Sequence, residues 1–192
     1  MKRFEALLLT GILAIAAPVR AEDDTRFAQS REYADALQAA LSQRLQAAMV
    51  EGGPVAAIEV CRVEAPAIAT RIGGDAPVRV GRTALRVRNP ANAPDEEATA
   101  VLESFEARLR AGESAPLEWF EAKPDGSARY FRAIVLQPMC VACHGVDIAP
   151  PVASAIAAKY PDDRATGFAP GELRGAFVVD WRASDTLPEY LR

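Results

Sequence analysis

One histidine stands in the whole chain, accompanied by three cysteines and three methionines. A single imidazole rules out bis-histidine ligation of any metal within one copy. Beyond the N-terminal stretch no run is apolar and long enough to cross a bilayer. No serine-histidine-aspartate order, phosphate-binding loop or paired-carboxylate motif stands out among the abundant acids, so the sequence is not expected to be an enzyme. Basic charge is in deficit too: the formal net charge of −4 argues against nucleic acid or anionic lipid as partners. There is no internal repeat, no low-complexity stretch and no linker that would divide two domains.

The N-terminus begins Met1-Lys2-Arg3, continues as an apolar run from Ala6 to Ala17, and reaches Val19-Arg20-Ala21 before the acidic Glu22-Asp23-Asp24. That is the layout of a secretory signal peptide with a small-x-small cleavage site, its apolar run too short for a membrane span. Residues 1–21 are expected to be the leader and 22–192 one exported, periplasmic domain, with no membrane attachment after cleavage. The leader carries Lys2, Arg3 and Arg20 against Glu5, so the remainder is more acidic than the whole.

From Asp24 to Met49 the sequence lacks Gly and Pro. Phe27, Ala34, Leu37, Leu41, Leu45 and Met49 fall on one helical stripe. Gly52-Gly53-Pro54 ends this helix and starts a second, whose face carries Ile58, Cys61, Ala65, Ile68 and Ile72; Pro66 inside that pattern should kink or split it. Val78–Thr83 alternates as a strand. Asp95 is placed to cap a helix with Val101, Leu102, Phe105 and Leu109 as its apolar face. Leu117–Glu121 and Arg129–Leu136 flank the turn residues Lys123-Pro124-Asp125-Gly126 and predict a hairpin. Pro150 and Pro151 open a short helix ending near Tyr160, and Leu173–Trp181 reads as a last strand with Gly175 at a bulge. Helices first, then antiparallel strands with helices inserted, predict a single α+β domain.

The densest chemistry is Met139-Cys140-Val141-Ala142-Cys143-His144-Gly145. C-x-x-C-H is the attachment signature of c-type haem: two thiols one turn apart meet the two vinyl groups, and the adjoining imidazole serves as an axial ligand. A thioredoxin-like thiol–disulfide oxidoreductase also uses C-x-x-C, but at the start of a helix, whereas Gly145–Pro151 cannot continue as one. Zinc would require all of Cys61, Cys140, Cys143 and His144, with neighbouring residues chelating one tetrahedral ion. The reading is therefore one covalent haem c, with Cys140 and Cys143 as attachment residues and His144 as the proximal iron ligand. For the sixth position the residues alone leave alternatives open: Met139 is held on the motif's own side, Met49 fits equally as core, and Cys61 by itself reads as a buried structural cysteine.

Ala57–Pro66, Val80–Pro94, Gln137–Gly145, Tyr160–Phe168 and Gly171–Gly175, in that order, resemble a bacterial and cyanobacterial family of single-haem c-type domains of undefined function. The likeness covers nearly all of the chain after the leader. It implies a PAS-like antiparallel sheet with N-terminal helices, and histidine/cysteine ligation with Cys61 as the distal ligand. A thiolate there would stabilise ferric iron and lower the midpoint below that of Met/His cytochromes.

Arg79, Arg82, Arg86 and Arg88 crowd a stretch without acids. Arg82, Arg86 and Arg88 are candidate contacts for the haem propionates, since guanidinium forks match carboxylates. Ile58, Ile68, Phe131, Ile134, Tyr160 and Phe168 are candidates for the apolar wall around the ring. The function expected is one-electron redox work, electron transfer or redox sensing, with an unidentified redox partner protein; the alternatives are a diatomic gas (NO or CO) sensor and the oxidoreductase. Sensing would be relayed to a separate partner.

Overall fold

β4 (Leu173–Trp181) carries Ala176 and Val178 toward one side and Phe177 and Val179 toward the other, all buried. A strand apolar on both faces belongs inside a sheet. It lies between β1 (Val78–Thr83) and β3 (Ala128–Val135), with β2 (Glu118–Ala122) beyond β3, and every pairing is antiparallel. The structure, a computed structural model, describes residues 18–183. The leader expected over 1–21 lies outside the described residues except for its last four, which open the first helix.

α1 (Pro18–Glu59) and α2 (Ala65–Gly73) cover one face, packing Ala34, Leu37 and Ile68 on Val78, Val80, Tyr130, Phe177 and Val179. α3 (Glu96–Arg110) covers the other with Ala98, Val101, Leu102 and Phe105 against Leu117, Phe131 and Val178. Each fully buried Leu or Phe contributes about 1.5–3 kcal/mol by leaving water. The result is the expected α+β single domain with N-terminal helices. Asp95 caps α3 by accepting the Ala98 N–H at 2.8 Å. The hairpin turn closes with the Gly126 N–H on the Lys123 carbonyl at 3.0 Å. Ser30, a polar residue in the α1 stripe, is fully buried and accepts the Trp181 indole N–H at 2.9 Å.

Two breaks in the helices matter for the site. Gly53 takes φ 70°, ψ −167°, so α1 kinks at the expected Gly-Gly-Pro. Pro66 has no N–H to give the Arg62 carbonyl, and its ring crowds that oxygen. The helix relieves the conflict upstream as a π-helical turn over Val60–Glu64, the Ala65 N–H reaching back to the Val60 carbonyl. Cys61 sits in that widened turn.

At the start of β4, Gly175 pairs with Ile134 and Leu173 with Val135, leaving Arg174 as the extra residue of a bulge. A Cβ at Gly175 would lie 2.4 Å from the Thr83 carbonyl oxygen, so close strand approach demands glycine there. Among the described residues no helix is long and apolar enough to cross a membrane.

Candidate functional site

Between β3 and β4 the chain leaves the sheet and returns through a mouth pinned by two backbone bonds. The Leu136 N–H donates to the Glu172 carbonyl and the Gly171 N–H to the Leu136 carbonyl, each at 2.9 Å. Pro138 starts a 3₁₀ turn over Pro138–Cys140, which passes into the one-turn α4 (Val141–His144). Gly145 then turns the chain away; a Cβ there would stand 2.6 Å from the Val141 carbonyl oxygen. α5 (Pro150–Lys159) begins only after a further stretch of coil, with Pro150 at its first position.

This single turn sets two half-buried thiols between apolar clusters. Cys143 packs with Ile58, Val152, Ile156 and Tyr160, and Cys140 with Leu136, Ala165 and Phe168. Burial pushes the Cys143 thiol up, opposed by Arg88 and reinforced by Cys61 and Cys140. Of the residues expected around the ring, Ile58, Tyr160 and Phe168 are here. Ile68 and Ile134 instead fill the α1–α2 face of the sheet and Phe131 the α3 face. Their strand and helix periodicity marks them as buried without saying against what.

His144 Nδ1 lies 2.6 Å from the Ala165 carbonyl oxygen. A carbonyl only accepts, so Nδ1 carries the proton and Nε2 keeps its lone pair. Burial lowers the imidazole pKa to about 3, helped by the cations of Arg174 and Arg88, so the ring is neutral at ordinary pH. The Phe168 ring stands edge-on to it at 6.5 Å.

The arginines after β1 divide. The chain bends repeatedly beyond Thr83, so Arg86 and Arg88 do not share an extended face. Arg88 turns inward: its Nη2 donates to the Cys143 carbonyl at 2.6 Å, Asp163 Oδ2 at 3.0 Å and the Ala165 carbonyl at 3.3 Å. The Arg88 and Asp163 side chains are 8% and 7% exposed, a buried ion pair. Arg86 is exposed, lies 3.5 Å above the Phe168 ring and donates to the Thr166 carbonyl. Arg82 is half-buried, its pKa lowered by burial with Cys61 and Tyr160 opposing. Among the described residues its side chain makes no salt bridge and no hydrogen bond.

Arg174, the bulge residue, was not among the residues singled out from sequence. Burial, Arg88 and Arg82 lower its pKa to about 10. The Nε atoms of Arg88 and Arg174 are both buried without a partner among the described residues. Asp163 and Cys61 act the other way on Arg174 but are outweighed by burial and the two like charges, and a buried guanidinium so disfavoured marks a place for an anion.

Cys61 reaches the same region from the π-helical turn, within electrostatic range of Cys143, Tyr160, Arg82 and Arg174. Met49 packs instead with Leu45, Ala57 and Val60, and Met139 is exposed. No three His, Cys, Asp or Glu side chains among the described residues are gathered as for a bare metal ion.

The model of the Tll0287-like family matches residues 17–181. The chain belongs to the Tll0287-like family. Among solved structures, the crystal structure of the cyanobacterial heme-protein Tll0287 matches with 33% identity and a TM-score of 0.52, over 62% of this chain and 70% of that one. A search of curated proteins finds no match. The span shared with the Tll0287-like family takes in the π-helical turn, all four strands and the Cys140–His144 segment. Asp163, Ala165 and Arg174, which complete the site, lie within it as well. Their parts could not be read from sequence, because a carbonyl acceptor and a bulged arginine carry no motif.

Proposed function

We propose that this chain carries one haem c, joined covalently through Cys140 and Cys143, and serves as an exported one-electron redox protein in electron transfer or redox sensing. The observation that carries the reading is the seating of C-x-x-C-H: two thiols on one turn, followed by a neutral imidazole whose Nδ1 is committed to Ala165. When bound, the iron porphyrin supplies a site that gains and loses a single electron.

The residues present fit such a group. His144 would hold the iron through Nε2, and Cys61 would be the second protein ligand. The backbone bond at Nδ1 orients the ring and raises its basicity as a ligand. Ile58, Val152, Ile156, Tyr160 and Phe168 supply an apolar wall that excludes water. The partnerless Nε atoms of Arg88 and Arg174 suit the two propionates, with Arg82 adding positive charge nearby. Arg86, exposed and stacked on Phe168, shields that wall.

The oxidoreductase alternative loses support from the same geometry. A four-residue helix offers little dipole to a thiolate, and burial pushes the Cys143 thiol up rather than down. The redox reading assigns the chain no substrate chemistry and looks to a redox partner protein.

Expression with the c-type attachment machinery tests the proposal. Intact mass should rise by one haem, and the reduced pyridine adduct should show the bands of a ring with both vinyl groups consumed. Cys140→Ser and Cys143→Ser should each shift those bands or abolish attachment. A bare polypeptide would end the reading.

A further inference from the structure

Cys61 is carried by a turn whose rotation its own helix does not fix. A π-helical turn holds one residue more than the α-helix around it, and that surplus can pass along the chain as each N–H chooses another carbonyl. Every such step changes the face on which the residues of the turn stand. Pro66 sets the downstream limit, because it is the Arg62 carbonyl that lacks a donor. Packing around the turn is mostly between small side chains. Gly53 folds α1 back on itself, and Ala48 meets Ala57 and Val60 across that hairpin, with Leu45 and Met49 beside them. Methyl groups allow close approach but resist turning only weakly.

Two ion pairs supply what this packing lacks, one at each end of the turn. At its far end Glu64 receives a fork from Arg44, in the first half of α1. Nε reaches Oε2 at 2.7 Å and Nη2 reaches Oε1 at 2.9 Å. Arg44 Nη1 also lies 3.7 Å from Glu51 Oε2, beside the kink. At the near end Glu59 pairs with Lys159, the last residue of α5, and accepts Arg62 Nε at 3.0 Å. The turn is thus tied in two directions, to the outer half of α1 and to α5, whose Val152 and Ile156 pack with Cys143. These side chains are partly exposed, where an ion pair adds little to overall stability. A planar fork still fixes an angle as well as a distance.

We infer that Arg44 and Lys159 are positioning residues for Cys61: through Glu64 and Glu59 they hold the π-helical turn in the one rotation that sets the aim of its sulfur. The purpose of that aim rests on the reading of Cys61 as an iron ligand; the ties themselves do not.

Haem attachment consumes Cys140 and Cys143, which leaves Cys61 as the free thiol among the three cysteines. Its alkylation by iodoacetamide in the reduced, haem-loaded protein, followed by intact mass, reads how readily the sulfur comes free. The optical and paramagnetic resonance spectra of the ferric protein read what the iron holds. Arg44→Met and Lys159→Met should each speed alkylation about two- to fivefold and alter the ferric spectra, with urea midpoints close to wild type. Exchanging the charges, Arg44→Glu together with Glu64→Arg, should return the rate toward the wild-type value. Wild-type alkylation and spectra in either methionine variant, or an exchanged pair that reacts as fast as Arg44→Met, would overturn the inference. If instead Cys61→Ser left the ferric spectra unchanged, the ligand reading would fail, and alkylation of Cys61 read by peptide mapping would still decide whether the ties hold the turn.

Discussion

His144 Nδ1 and the Ala165 carbonyl oxygen stand 2.6 Å apart, and the same oxygen receives Arg88 Nη2 at 3.3 Å. The imidazole is thus aimed by a carbonyl that a buried guanidinium also holds. Arg88 ties three separate stretches of chain together: the segment after β1, the Cys143 carbonyl, and the Asp163–Ala165 turn.

Arg88→Met should therefore be among the most damaging single changes in the domain. It strands Asp163 as a buried, unpaired carboxylate, a loss of about 3–5 kcal/mol. Urea unfolding monitored by circular dichroism measures it. Arg88→Lys should recover part of the loss, because all three bonds leave from the single nitrogen Nη2 and an ammonium also carries three donors. Wild-type stability in the methionine variant would show that the ion pair is incidental.

Gly175→Ala adds one methyl group where the Thr83 oxygen and Ala84 Cβ already lie 2.4 and 2.9 Å from the new atom. Both neighbours belong to the backbone or its first carbon, so the strands must part. A loss of about 1–3 kcal/mol is expected, seen as a lower Tm. Gly112→Ala, with open space around the new atom but positive φ, should cost less.

Stability should fall in acid. Burial alone would raise the carboxyls of Glu118, Glu97 and Asp95, yet hydrogen bonds and cations overcome it and hold all three below their usual range. Arg31 and Tyr130 act on Glu118, Lys123 and Arg129 on Glu97, and the Ala98 N–H with Arg129 on Asp95. A carboxyl depressed in the folded state stabilises fully above its unfolded pKa of about 4, and that contribution is lost as pH drops through the folded value. Denaturation midpoints should begin to decline below about pH 6.5, where the unfolded imidazole of His144 binds a proton that the buried ring refuses, and should fall more steeply below about pH 4. Glu118→Gln should make that decline shallower.

Cys61→Ser removes the proposed distal sulfur while leaving a residue of nearly the same size. The optical spectrum and paramagnetic resonance signal of the ferric protein should change, and the midpoint should rise, since an anionic sulfur favours the ferric state. An unchanged spectrum and midpoint would refute thiolate ligation.

Local signals made most of the architecture legible. Val78–Thr83 as a strand, Asp95 as a cap and the hairpin about Pro124-Asp125-Gly126 each follow from residues within a few positions of one another, while the bulge expected at Gly175 falls one residue earlier, on Arg174. The site was legible to the extent that its chemistry is contiguous, as in Cys140, Cys143 and His144. Arg174 and Asp163 escaped because their roles exist only after distant segments meet. Ile68, Phe131 and Ile134 were placed at the site from apolarity, which reports burial but not the neighbour. Pro66 announced a break in the helix, though its effect surfaces upstream, where the carbonyl it cannot serve must be accommodated.

The widened coil at Val60–Glu64 amounts to one surplus residue spliced into a helix. Excising a position there other than Cys61 would let the regular ladder close again, the flanking helices keeping nearly their relation while the residues of the turn itself shift to other faces. The Cys61 sulfur would then aim elsewhere without any change in strand pairing. The count of residues between Ile58 and Ile68 is thus as strict a requirement as the identity of Cys61 itself.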